Sequence, residues 1–243
     1  GLIFCSTPNC TITLNTDILS TGSGLASSSS FIISVVKALC LFQKLEFTNK
    51  QICDIAFEIE QKINPLAGYQ DVYGCGVGNF KRIDFTNDGY QVYKFLDMSF
   101  ITDKYDMFLL NTGITRSSTN ILKTIDVDKS KGLLQIVDSM ENFINEKNEK
   151  GFFKMLNDGW NIKKQTSKSI LGCQELLSIE KTLLDSKMIN ALKLCGAGGG
   201  GYFLLFVSKQ HEDKFKIFYQ RNFVNNPMIK IKIENNGPVG VEI

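Results

Sequence analysis

Ser20-Thr21-Gly22-Ser23-Gly24-Leu25-Ala26-Ser27-Ser28-Ser29-Ser30 runs without a break into Phe31-Ile32-Ile33-Ser34-Val35-Val36-Lys37-Ala38-Leu39-Cys40-Leu41-Phe42. The second stretch is apolar nearly all round, the pattern of a buried helix. Ahead of the first, Cys10, Ile12 and Leu14 alternate with Thr11, Thr13 and Asn15, the period of a half-buried strand. The order is strand, glycine/serine loop, helix. In isolation a Gly/Ser run is a flexible linker, but wedged between a strand and a buried helix a floppy linker has no purpose. Glycines let backbone approach an anion closely, and a serine-rich helix start leaves several N–H groups pointing outward at the positive end of the dipole. A phosphate fits such a place. The Gly-Lys-Ser/Thr of a P-loop is missing, and Gly22-Ser23-Gly24 lacks the third glycine of a dinucleotide fingerprint.

Working outward, Thr48 and Gln51 have capping-box spacing, and Ile52, Ile55, Ala56, Ile59 and Ile63 fall on one helical face. This helix is predicted to end before Asn64-Pro65, because the residue ahead of a proline is pushed out of the helical region. A glycine-rich stretch follows from residue 67 to 80, read as a loop. Strands are predicted at 80–85 and 90–96 around an Asn87-Asp88-Gly89 turn, and at 105–111. Helices are predicted at 131–148, 151–165 and 174–188, then a second glycine loop, a strand at 202–207, a helix near 210–221 and a closing strand or hairpin at 228–243. No repeat period appears, and the mixture is α+β rather than a regular βαβ alternation. A boundary near 98–104 divides the chain into residues 1–100 and 101–243.

The 243 residues are 43% hydrophobic and 21% charged, with a net charge of +2, the composition of an ordinary folded chain. That charge gives no electrostatic case for nucleic acid. The longest apolar stretch, 31–42, contains Lys37 and is far shorter than the roughly 20 residues of a membrane span, and no signal peptide is visible. The seven cysteines, at 5, 10, 40, 53, 75, 173 and 195, are scattered and include no C-x-x-C pair, which points to free thiols in a reducing cytoplasm. A single histidine, His211, removes Ser-His-Asp and multi-histidine metal chemistry.

Two further segments could carry chemistry. Gly68-Tyr69-Gln70-Asp71-Val72-Tyr73-Gly74-Cys75-Gly76-Val77-Gly78 holds Asp71, which is either a local turn former or a general base where backbone packs close to a substrate. Lys193-Leu194-Cys195-Gly196-Ala197-Gly198-Gly199-Gly200-Gly201 places five glycines in six positions. Each costs roughly 0.5 to 1 kcal/mol relative to Ala in ordered structure, so something requires the bare backbone: packing against the first loop, or contact with a phosphate.

These three segments, in this order, resemble the GHMP small-molecule kinases (galactokinase, homoserine, mevalonate and phosphomevalonate kinases), whose phosphate loop reads roughly Gly-Leu-Gly-Ser-Ser-Ala-Ala. Gly24 to Ser30 matches that loop, Gly68-Tyr69-Gln70-Asp71 is similar to the Asp-bearing motif of the sugar kinase branch, and Lys193 to Gly201 matches the glycine-rich third motif. Through Gln70-Asp71, Thr112-Gly113-Ile114-Thr115-Arg116 and Cys195 to Tyr202, the fit is nearest to the D-glycero-D-manno-heptose 7-phosphate kinases. In two departures, Leu19-Ser20-Thr21 stands where the family has a proline, and Ala26 replaces a glycine.

The resemblance implies a two-lobed α+β fold, with a ribosomal S5 domain 2-like N-terminal lobe and a ferredoxin-like C-terminal lobe. It implies an ATP- and Mg2+-dependent sugar kinase, a phosphotransferase acting on the anomeric hydroxyl of a heptose 7-phosphate. Another sugar 1-kinase, galactokinase- or fucokinase-like, and a catalytically silent sugar or nucleotide sensor are the alternatives. Gly22, Ser23, Gly24, Leu25, Ala26, Ser27 and Ser28 would wrap the ATP phosphates. Ser28 and Glu60 would be the metal ligands. Glu60 lies about 80° from Ile52 around the helix, at the margin of the apolar stripe, and Glu58 lies on the far side; the plain alternative for Glu60 is a solvated carboxylate. Asp71 would take the proton from the sugar hydroxyl. Gly68, Asp71, Gly198, Gly199, Gly200 and Arg116 would contact the sugar phosphate, with a surface arginine the alternative for Arg116. Expected partners are a sugar phosphate and ATP, without nucleic acid or membrane, in a cytoplasmic protein compatible with a homodimer. Against the family, 243 residues are short by the first strands and first motif, so an incomplete first lobe with an unpaired sheet edge and weak turnover is expected.

Overall fold

The computed structural model describes residues 11–16, 22–65, 67–86, 91–115 and 121–240. Among these, two compact units separate: 11–16, 26–79 and 233–240 in one, 22–25 and 80–232 in the other.

The first unit packs three helices, α1 (Ser27–Phe42), α2 (Asn49–Ile63) and α3 (Tyr69–Gly76). The capping box forms as its spacing predicts: the Gln51 amide donates to Thr48 Oγ1 (3.3 Å) and the Thr48 amide to Gln51 Oε1 (2.9 Å). The helix stops at Asn64, extended at φ −136° ahead of Pro65. Its buried face is Ile52, Cys53, Ala56 and Glu60, turned away from the expected isoleucine stripe; Ile63 is 70% exposed. Burial of α1 is likewise confined to one face, made by Ser29, Ile33, Val36 and Cys40, and not spread all round. These residues recur at spacings of three and four, the stripe that meets one neighbouring layer.

Two further expectations in this unit are corrected. Residues 69–76 form a helix, not a loop. Val72, Tyr73 and Gly76 give it a buried face, and a Cβ on Gly76 would overlap the Cys53 sulfur, so this glycine is what lets α3 approach α2. Residues 11–16 are irregular and exposed instead of forming a strand; alternation becomes a strand only where a neighbour accepts its ladder. Cys10 lies outside the described residues.

Among the described residues of the closing segment only Met228–Ile231 is a strand, in the second unit. Residues 233–240 join the first. There the Asn79 amide donates to the Glu234 carbonyl (2.7 Å) and Asn79 Nδ2 to that of Asn235 (3.1 Å), while Asn49 Nδ2 donates to that of Asn236 (3.0 Å).

In the second unit the hairpin of β1 (Lys81–Phe85) and β2 (Gln91–Phe95) pairs Lys81 with Phe95 and Phe85 with Gln91; its expected turn, 87–89, lies outside the described residues. A four-stranded antiparallel sheet runs β4-β5-β3-β6, from β3 (Tyr105–Asn111), β4 (Ile189–Leu194), β5 (Tyr202–Ser208) and β6 (Met228–Ile231). β3 and β5 fall where their apolar runs predict. β4 is an addition, its pattern broken by Asn190 and Lys193. Four longer helices, α4 (Gly132–Asn145), α5 (Glu149–Thr166), α6 (Gln174–Asp185) and α7 (Glu212–Asn222), stand among the described residues of this unit beside shorter helical turns. The core gathers Phe108, Leu110, Trp160, Leu183, Phe203 and Phe215. Within it Glu180 accepts hydrogen bonds from Trp160 Nε1 (2.6 Å) and Lys164 Nζ (2.8 Å), which offsets the cost of burying a carboxylate. The hairpin is tied to α4 by Arg82, whose Nη1 lies 2.7 Å from Glu141 and 2.8 Å from Asp138. Hydrogen bonds from Lys94 and then Arg82 hold the Glu141 carboxyl below its ordinary range. No described helix is long and apolar enough to cross a membrane.

Candidate active site

The entry to α1 has an unusual backbone. Gly22, Gly24 and Ala26 have φ of +68°, +74° and +56°, while Ser23 and Leu25 between them do not have positive φ. Left-handed residues in alternation are the kind of backbone from which anion-binding concavities are built. The Leu25 amide donates to Ser23 Oγ (3.2 Å). α1 then begins with Ala26 as its N-cap, with no side-chain cap and no acidic residue in the first turn, leaving the positive end of the dipole without an anionic partner on its own first turn. The left-handed conformation of Ala26 costs about 1–2 kcal/mol for an L-residue. The place where the family glycine is missing is therefore a place where glycine fits better.

Inside the first turn, Ser29 is 1% exposed and Glu60 7%. Ser29 Oγ donates to Glu60 Oε2 at 2.6 Å, a charge-assisted bond between α1 and α2. The carboxylate makes no other hydrogen bond among the described residues. Glu60 is thus buried, rather than marginal or solvated, while Glu58 is exposed as expected. Ser28 is exposed, about 100° around the helix from Ser29. The structure brings Glu60 together with Ser29, a residue that sequence reasoning passed over. Its signal was present: Ser29 lies four residues before Ile33 and seven before Val36, on the buried stripe.

Asp71 stands in the first turn of α3, where the helix dipole favours a negative side chain, and it is exposed. Its helix is pinned from below by buried Val72 and Tyr73, by the Tyr73 hydroxyl donating to Asp54, and by Tyr69 stacked on Phe57 with centroids 4.0 Å apart. Gly68 is the N-cap in extended backbone, and a Cβ there would meet nothing within 4 Å among the described residues. Backbone at this corner is open to an incoming molecule.

In the second unit the third glycine segment packs tightly. A Cβ on Gly201 would overlap the Ser23 carbonyl oxygen, and one on Gly200 that of Ile114; on Gly198 it would lie 3.0 Å from Ile170 Cα, and on Gly199 2.8 Å from Ile121 Cδ1. All four have positive φ. The Gly199 amide donates to the Ile170 carbonyl and the Gly201 amide to that of Ile114, both at 2.9 Å, while Thr112 Oγ1 donates to the Gly201 carbonyl (2.9 Å). Packing against the first loop is therefore one reason for the bare backbone. Arg116 lies outside the described residues.

The described residues include no group of three or more His, Cys, Asp and Glu able to hold a metal. A magnesium ion carried on nucleotide phosphates needs only one or two protein oxygens, and the hydroxyls of the first turn with a carboxylate free at Oε1 are donors of the right hardness.

Residues 3–79 match the family model for the GHMP kinases N terminal domain. The chain is 29% identical over 203 residues to D-glycero-alpha-D-manno-heptose 7-phosphate kinase of Campylobacter jejuni, covering 76% of this chain and 58% of that protein. It therefore spans less than two thirds of the curated relative it matches. The structure is similar to L. major mevalonate kinase in complex with R-mevalonate, with a TM-score of 0.70 at 18% identity over 86% of this chain and 66% of that one. It is similar also to Lactococcus lactis galactokinase complexed with galactose, with a TM-score of 0.68 at 16% identity over 90% and 68%. The expected α+β fold is borne out by both structural likenesses.

Proposed function

We propose, from the premise that this chain has the fold of the GHMP kinases, that it acts as an ATP-dependent kinase of a sugar, with a heptose 7-phosphate as the acceptor. The observation that carries this reading is the start of α1: an uncapped helix entered through left-handed backbone at residues 22, 24 and 26, which is backbone shaped for phosphate. The choice of heptose follows the 29% identical relative.

In this reading residues 22–28 receive the ATP phosphates through their amides. Asp71 accepts the proton of the anomeric hydroxyl as that oxygen forms its bond to the γ-phosphorus and the bond from phosphorus to the β,γ-bridging oxygen breaks, releasing ADP. Positioning and charge neutralisation lower most of such a barrier, so one carboxylate base is enough. Gly68 leaves space beside Asp71, and Gly198 to Gly200 and Arg116 are proposed as further contacts to the sugar phosphate. Glu60, with Ser28, would supply oxygen ligands for magnesium. The ion would neutralise charge on the phosphoryl oxygens. The two lobes, 1–100 and 101–243, the cytoplasmic location and a homodimer belong to the same proposal.

ADP release measured across heptose 7-phosphate, free heptose, galactose and fucose tests it. Fastest turnover on the 7-phosphate is expected; equal or faster turnover on a free sugar moves the assignment to another sugar 1-kinase, and ATP binding without ADP release from any of them makes the chain a sensor. Asp71→Asn is expected to lower turnover by about 100-fold or more while ATP affinity, followed by calorimetry, stays within about twofold. Unchanged turnover would remove Asp71 from the mechanism.

A further inference from the structure

We infer that Ser29 is a positioning residue, whose hydroxyl fixes the Glu60 carboxylate so that Oε2 is held and Oε1 is presented to the nucleotide-bound metal. This rests on the kinase reading above. The Ser29–Glu60 bond is the one side-chain hydrogen bond that the Glu60 carboxylate makes among the described residues. A carboxylate turns easily about its last side-chain torsion, which has broad wells, and a 2.6 Å bond to one of its oxygens removes that freedom.

Stability alone gives no reason for the pair. The rest of the buried α1 and α2 faces is Ile33, Val36 and Cys40 on one helix and Ile52, Cys53 and Ala56 on the other. Apolar residues of similar volume in place of a buried polar or ionic pair are often neutral or stabilising. The pair also sits at one end of the interface, in the first turn of α1, where the helix has no side-chain cap. A hydroxyl and a carboxylate placed there, and not further along the stripe, fit a role in ligand geometry.

Mn2+ binding followed by electron paramagnetic resonance, with adenylyl imidodiphosphate present and no turnover, gives a direct readout. Ser29→Ala is expected to weaken Mn2+ by about 10-fold, the lower end of what loss of a partner to a metal ligand costs. Ser29→Cys, which keeps the volume but donates weakly, is expected to match it. Glu60→Gln should weaken Mn2+ at least as much, and Ser29→Ala added to Glu60→Gln should weaken it no further, because the two act through one oxygen. Wild-type affinity in either Ser29 variant, or full additivity in the double variant, overturns the inference even where thermal melting shows lost stability. Wild-type affinity in Glu60→Gln would instead sink the metal reading on which the inference rests, so the two failures are told apart.

Discussion

Residues 196–201 and residues 68–78 are both glycine-rich, and as sequence they invite the same explanation. Their surroundings differ. At Gly198, Gly199, Gly200 and Gly201 an added Cβ meets protein each time, and each residue has positive φ. At Gly68 and Gly74 it meets nothing within 4 Å among the described residues, and Gly68 has an extended backbone that other residues adopt. The first set of glycines is already required by the protein's own packing, before any contact with a substrate is considered. At Gly68 no such packing is seen among the described residues, and in the proposed kinase its bare backbone leaves room beside Asp71. Further along the second stretch, Gly76 returns to the first kind, since Cys53 lies where its side chain would go.

Four substitutions press on this contrast. Gly201→Ala combines a left-handed backbone with overlap on a carbonyl, and is expected to lower unfolding stability by about 3–5 kcal/mol in urea denaturation; a loss below about 1 kcal/mol would mean that the loop yields and the contrast is empty. Gly76→Ala is expected to cost about 1–3 kcal/mol by overpacking, and much of that loss should vanish in a Cys53→Ala background. Ala26→Gly, at φ +56°, should raise stability by about 1 kcal/mol; a decrease in melting temperature would show that the left-handed cost is absorbed elsewhere. Gly68→Ala is expected to change stability by less than about 0.5 kcal/mol, since the poorer N-cap and the stiffer unfolded chain offset each other. Its turnover should nonetheless fall, and full activity would show that the open corner is not used.

Much of this architecture can be read from local pattern. Thr48 and Gln51 mark the start of α2 because a capping box is a property of four consecutive residues, and the runs at 105–111 and 202–207 are apolar enough to be strands in almost any surroundings. What escapes is decided by neighbours distant in the chain. Residues 69–76 look like a loop because glycine disfavours helix, yet burial of Val72 and Tyr73 outweighs that preference. Ile12 and Leu14 alternate like a strand but pair with none of the described residues. The site divides in the same way. Gly22, Gly24 and Asp71 stand in segments that announce themselves, whereas the Ser29–Glu60 bond joins residues 31 apart and depends on how two helices face each other.

The clasp of residues 234–236 onto Asn79 and Asn49 also bears on how the polypeptide is made. Asn79 and Asn235 are separated by 156 positions, and Asn49 and Asn236 by 187. A ribosome emits residues in order, at roughly 5–20 per second, so the three helices of the first unit wait on the order of ten seconds for the segment that closes over them. Contacts this remote in sequence also carry a large closure entropy and slow a folding reaction. The same holds for the second unit, whose strand β3 waits for β6 at 228–231, only three residues before Glu234, so both units are closed by one late stretch of chain.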